Sequence, residues 1–174
     1  MAEIIRSITQ EFRMVSTAEA ITSSTLLPVY GTVEKANNYF ANRLHCQRWE
    51  TFGNQDKFKA LVMATRSIEK LNYVGEKADA SQPLQFPRGT DTLVPVDIEN
   101  AAYELAYALL KGVDPTTERE NLFTKVQGYG MFRTEYRDNT VKPWIAAGIV
   151  SLDAWEYLYP YLLPRTELDL LRSN

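Results

Sequence analysis

The sequence predicts a mainly α fold: a small antiparallel helical bundle with a projecting β-hairpin and extended N- and C-terminal arms. Three observations predict it. Apolar residues recur at intervals of three and four over 58–71 and again over 98–109, the period of an amphipathic helix. After residue 121 the period changes, and apolar and polar residues alternate as they do in a half-buried strand. Neither period is sustained at the two ends of the chain. The expected organisation is an arm over 1–29, a helical domain over 30–163 with its hairpin at about 121–137, and a tail over 164–174.

Each element has its own justification. The arm mixes Ile4, Ile5, Ile8, Phe12 and Val15 with Ser and Thr, which reads as extended chain or a short hairpin. Thr32 is placed to cap a first helix, with Glu34 in its first turn and Ala36, Tyr39, Phe40 and Leu44 as its apolar face. Asn54 is the expected cap of the second helix, followed by Asp56 and a stripe of Phe58, Leu61, Val62, Thr65, Ile68 and Leu71, with Gly75 as its stop. Pro83 and Pro87 forbid a helix in the loop that follows, and each holds the residue before it extended. Phe86 is expected to tuck into the core between the second and third helices. The third helix runs over 96–111, with Asp97 in its first turn, Ile98, Ala101, Ala102, Leu105, Ala106 and Leu109 inside, and Gly112 just past its end. Asp114 to Thr117 reads as a turn, residues 122–127 and 131–136 as two strands, and Pro143 to Gly148 as a loop or short helix. Ser151 caps a last helix whose stripe is Leu152, Trp155, Leu158, Tyr159 and Leu162, and Pro160 bends or ends it.

Composition narrows the function. The chain has 174 residues, enough for one domain with a proper core. Its net charge is −3, whereas proteins built to grip nucleic-acid phosphates carry a basic excess. With Cys46 as the one cysteine there is no intramolecular disulfide, and with His45 as the one histidine a zinc site lacks ligands. The start of the chain lacks a secretory leader, and nowhere do roughly 20 apolar residues run together as a membrane span requires. The expectation is a protein made in a cytoplasm, with no membrane partner, that is able to end up in a particle.

The chemistry-bearing patterns are thin. Gly128-Tyr129-Gly130 lacks the third glycine of a dinucleotide loop, since Arg133 stands there, and no phosphate-loop Gly-Lys-Ser/Thr occurs. His45 has no carboxylate to orient it, and Asp97/Glu99 and Glu118/Glu120 point apart on a helix. The expectation is no enzyme, no catalytic residue, no cofactor and no metal. Single-stranded-DNA contact would fall on Arg133, Arg137 and Lys142, interleaved with Tyr129, Phe132 and Tyr136. Glu135 and Asp138 dilute that charge, and the three aromatics are read first as cross-strand packing or a subunit contact. Arg88, held in a proline loop, is expected to pin a carboxylate in the same chain or in a neighbouring subunit. Tyr157, Tyr159 and Tyr161 are spaced by two on a helix, so they cannot all face one core, and tyrosine is favoured at interfaces.

Ala-Thr-Arg at 64–66, the Gly75 turn, Gln-Pro-Leu-Gln-Phe-Pro-Arg at 82–88, Val-Pro at 94–95 and Ala-x-x-Glu-Leu-Ala at 101–106 occur in an order that resembles the head-to-tail adaptor proteins of tailed bacteriophages. Members of that group are often labelled DnaT-like single-stranded-DNA-binding. The resemblance begins with Tyr-Gly-Thr-Val-Glu-Lys-Ala-Asn-x-Tyr-Phe at 30–40, is good to about Leu110 and weakens to Leu163. Phe86 stands where the pattern usually has Trp. The resemblance implies a virion protein of the neck, a dodecameric ring of self-contacts below the portal protein. Its other partner would be a tail, nozzle or tail-completion protein, and DNA would pass through the channel without specific binding. Candidate subunit or portal contacts are then Arg88, Tyr129, Phe132, Tyr136, Tyr157, Tyr159 and Tyr161, with Leu168, Leu170 and Leu171 of the tail. The alternative is a single-stranded-DNA-binding module acting in replication.

Overall fold

A computed structural model describes residues 27–121, 126–129, 132–135 and 142–164, the strand residues by their backbone. The described chain is mainly helical. Its helices are α1 (Val33–Ala41), α2 (Asn54–Ile68), α3 (Val96–Leu110), α4 (Pro115–Asn121), α5 (Pro143–Ala146) and α6 (Leu152–Leu158), with 3-10 turns at Gln47–Trp49 and Tyr159–Tyr161. Strands β1 (Val126–Tyr129) and β2 (Phe132–Glu135) pair antiparallel, with Val126 opposite Glu135 and Tyr129 opposite Phe132. The expectation that this hairpin projects from the body finds no support, because the segments joining it to the helices, 122–125 and 136–141, lie outside the described residues. The N-terminal arm up to residue 26 and the tail from 165 lie outside them too.

The body is organised around α3, where every residue from Ala101 to Ala108 is buried. A helix that is apolar nearly all round belongs inside a domain. It packs against α2, α6 and, more lightly, α1. Cross-helix partners give the directions. Lys35 meets Glu99, Tyr39 meets Glu104 and Phe40 meets Tyr107, so α1 runs in the same sense as α3. Tyr30 bonds Thr65 while Lys57 bonds Asn37, so α2 runs opposite to α1. Arg43 meets Asp153 and Tyr39 meets Tyr157, so α6 also runs opposite to α1. The directions therefore alternate along the bundle, and the two main packings of α3, against α2 and α6, are antiparallel.

Several local expectations are corrected. Gly53, not Asn54, caps α2: its carbonyl accepts from the backbone N–H of Asp56 and Lys57, and no side chain shares the work. The helix ends at Ile68, and Leu71 is only half-buried. Leu44 lies beyond the end of α1 and is exposed, as are Leu152 and Tyr159 at the two ends of the last helical stretch. Asp114 opens a helix instead of a turn, its carboxylate accepting from the Thr116 N–H at 3.0 Å and the Thr117 hydroxyl at 2.9 Å. Thr32 and Ser151 do cap α1 and α6, accepting from Lys35 N–H and Ala154 N–H at 3.2 Å each. α6 stops before Pro160, and the chain tightens into a 3-10 turn.

Candidate functional site

Three polar constellations are built into the body, and each closes on the chain itself. The first holds the proline loop. Glu69, just past α2, accepts from the Gln85 N–H at 2.9 and 3.1 Å and from the Tyr30 hydroxyl, which in turn accepts from the Phe86 N–H at 3.2 Å. Phe86 is thereby fixed among the rings of Tyr30, Tyr73 and Tyr161, at centroid distances of 6.2, 4.7 and 5.6 Å. Burial pushes the Tyr30 and Tyr73 phenols well above their ordinary value, seconded by the hydrogen bond to Glu69 at Tyr30 and by the Glu69 charge at Tyr73.

Arg88 belongs to this constellation, and its expected partner is corrected. It meets no carboxylate among the described residues. Its Nε donates to the Val74 carbonyl at 3.0 Å, Nη1 to the Gln85 side chain at 2.9 Å, and Nη2 to the carbonyls of Tyr73 and Gly75. The guanidinium lies over the Tyr73 and Phe86 rings, 5.7 and 5.9 Å from their centroids. A planar fork of five donors suits several carbonyls as well as one carboxylate, so Arg88 ties the loop ends together.

The second constellation lines a surface cleft of about 720 Å³ formed by Tyr39, Asn42, Arg43, Asp153, Glu156 and Tyr157. Glu104 lies beneath it, 3 % exposed, paired with Arg43 and accepting from the Tyr39 hydroxyl at 2.7 Å. Arg43 Nη2 also donates to Asp153 Oδ2 at 2.5 Å, which joins α1, α3 and α6 through one guanidinium. The Tyr157 hydroxyl lies 3.4 Å from that of Tyr39. Burial, and then the hydrogen bond to Tyr157, hold the Tyr39 phenol above its ordinary value. Sequence reasoning missed this set. Its signal was a glutamate in the midst of the apolar run of α3, which needs a buried partner.

The third is Lys57, 6 % exposed, whose ammonium donates to Asn37 Oδ1 at 3.0 Å and lies 5.1 Å from the Trp49 ring centroid. The same amide oxygen accepts from Trp49 Nε1 at 2.8 Å.

Of the expected contact residues, Tyr157 is half-buried in the cleft, Tyr159 is exposed, and Tyr161 packs on Phe86 and donates to Asp97 Oδ2 at 3.1 Å. The three do face different surroundings. Of the residues expected for strand binding, Lys142 is exposed, its ammonium 6.0 Å from the Trp144 centroid. Tyr129, Phe132 and Arg133 are placed by backbone alone; Tyr136, Arg137, Leu168, Leu170 and Leu171 lie outside the described residues. No group of three or more His, Cys, Asp or Glu side chains suited to a metal occurs among the described residues. No described helix is long and apolar enough to cross a membrane.

The sequence model of the family described as "Putative DnaT-like ssDNA binding protein" matches residues 27–167. No curated protein and no solved structure matches the chain.

Proposed function

Because the chain belongs to the DnaT-like ssDNA binding protein family, its work is sought beside DNA, and we propose that it acts there as a non-enzymatic structural adaptor of a tailed phage. In this reading copies of the chain form a ring below the portal, join the DNA-filled head to the tail and continue the DNA channel. The observation that carries it is where the described side chains are spent. The large rings of Tyr30, Trp49, Tyr73, Phe86, Tyr103 and Tyr107 are buried in the core. Arg43, Arg88 and Lys57 are engaged within the chain, and the polar constellations hold helices and loops in place. Such a body is a rigid block for assembly. The order of motifs over 30–110 supplies the phage setting by resemblance.

A second reading, a single-stranded-DNA-binding module, is favoured by the family's own description better than the adaptor is. One described feature fits it: exposed Lys142 beside Trp144, next in sequence to the hairpin that carries Tyr129, Phe132 and Arg133. A cation beside an aromatic ring is a unit of strand binding. Fluorescence anisotropy with a labelled single-stranded oligonucleotide separates the two. The adaptor reading predicts no saturable binding at physiological salt. The strand-binding reading predicts binding that falls steeply as salt rises and weakens several-fold in Lys142→Ala.

A further inference from the structure

We propose that the cleft between α1 and α6 is a binding site for the guanidinium of an arginine side chain presented by a partner protein. The site is independent of both readings of function. Its chemistry follows from which groups of the cleft are already spent. Arg43 is held from two sides, by Glu104 beneath it and by Asp153 Oδ2 at 2.5 Å. The Asn42 amide donates to the Asn38 carbonyl at 2.9 Å, and the Tyr39 hydroxyl donates to Glu104 at 2.7 Å. The donors are thus engaged within the chain, and what is left over accepts. Asn42 Oδ1, Asp153 Oδ1 and the Glu156 carboxylate have no partner among the described residues.

Charge points the same way. Glu104, 3 % exposed, takes both of its contacts on Oε1 and shares its one guanidinium with Asp153. The cleft and the carboxylate beneath it therefore set three carboxylates, Glu104, Asp153 and Glu156, against Arg43 alone. One turn back along α1, Lys35 and Glu99 pair at 2.8 Å and cancel. The excess is negative, which draws a cation in and keeps an anion out.

Size and walls choose among cations. The carboxylates do not form a group suited to a metal, and about 720 Å³ is room for a whole side chain. Two of the six lining residues are tyrosines. Aromatic faces favour a guanidinium, which is planar, stacks on rings and is less strongly hydrated than an ammonium. Its five N–H donors can reach acceptors on both helices at once, Asn42 on α1 and Asp153 and Glu156 on α6.

Nuclear magnetic resonance of the isotope-labelled full chain, titrated with N-acetylarginine amide at constant salt, tests it. Saturable shifts are expected at the backbone amides of Asn42, Arg43, Asp153, Glu156 and Tyr157. N-acetylcitrulline amide has the same shape without the charge and should bind about ten-fold more weakly. The Nα-acetyllysine amide should bind several-fold more weakly than the arginine compound, since it cannot fork or stack. Glu156 is exposed and makes no ion pair among the described residues, so Glu156→Gln should leave the rest of the spectrum in place. That variant should weaken arginine binding several-fold. No saturable shift, saturation centred elsewhere, equal binding of the citrulline or lysine compound, or unchanged affinity in Glu156→Gln overturns the proposal. The oligonucleotide and phage-head measurements decide the readings of function separately, so failure of either leaves this result as it stands.

Discussion

At the residue scale, the body depends on a few polar side chains whose partners are far apart in sequence. Arg43 is the clearest case: it serves Glu104 on α3 and Asp153 on α6. Arg43→Ala leaves the Glu104 carboxylate buried with the Tyr39 hydroxyl alone. Breaking a fully buried pair costs about 3–5 kcal/mol. The Arg43 side chain is 34 % exposed, so solvent screens part of this, and a loss of about 2 kcal/mol is expected from the urea midpoint. Adding Glu104→Gln to that variant should recover part of the loss, since a neutral amide costs less to bury than a carboxylate. Only Glu104, a carboxylate inside an apolar run, was a sign of this in the sequence; that Arg43 and Asp153 would join it was not legible, because residues 43, 104 and 153 share no local pattern. Arg88 was legible as a pin, because a proline loop with one arginine needs tying down. That it would tie carbonyls instead of a carboxylate depends on how the loop ends come together, with Tyr73 bridging Leu162 and Lys77 bridging Arg88.

At the element scale, periodicity identified α2 and α3 because both bury a continuous stripe. It understated α3, whose tyrosines and glutamate face inward along with the alanines. Ends were harder to read. A three-four period continues on paper past Ile68 and Ala41, but a helix stops where its backbone finds other partners: the Leu71 N–H donates to Ile68, and the Arg43 N–H to Phe40. α6 is short, with seven residues, and it supports one wall of the core through Ala154 and Leu158, so the loss of its cap reaches the core. Ser151→Ala removes the acceptor of the Ala154 N–H and should cost about 1 kcal/mol. Hydrogen exchange would report it as faster exchange confined to α6 and the 3-10 turn after it, whereas an unchanged α6 would show that packing alone holds the helix.

At the scale of the whole molecule, the core is unusually phenolic. Tyr30, Tyr73 and Tyr103 are all buried, and burial raises each phenol well above its ordinary value of 10.0. The folded chain therefore keeps protons that the unfolded chain would lose. That contribution to stability is complete below about pH 10 and is lost as pH rises beyond it. An alkaline titration should show the exposed tyrosines ionising first and the buried ones only together with loss of the far-ultraviolet dichroism. Ionisation of all ten tyrosines in one early step would contradict the packing described. The chain belongs to a DnaT-like family and is mainly helical in the described residues; the adaptor reading is the central claim. Co-sedimentation of the full chain with tail-less phage heads that carry their portal, at physiological salt, tests that claim most directly. The account predicts saturable binding at a fixed number of copies per head. No binding to heads, with the same preparation binding a single-stranded oligonucleotide in a salt-sensitive manner, would contradict it.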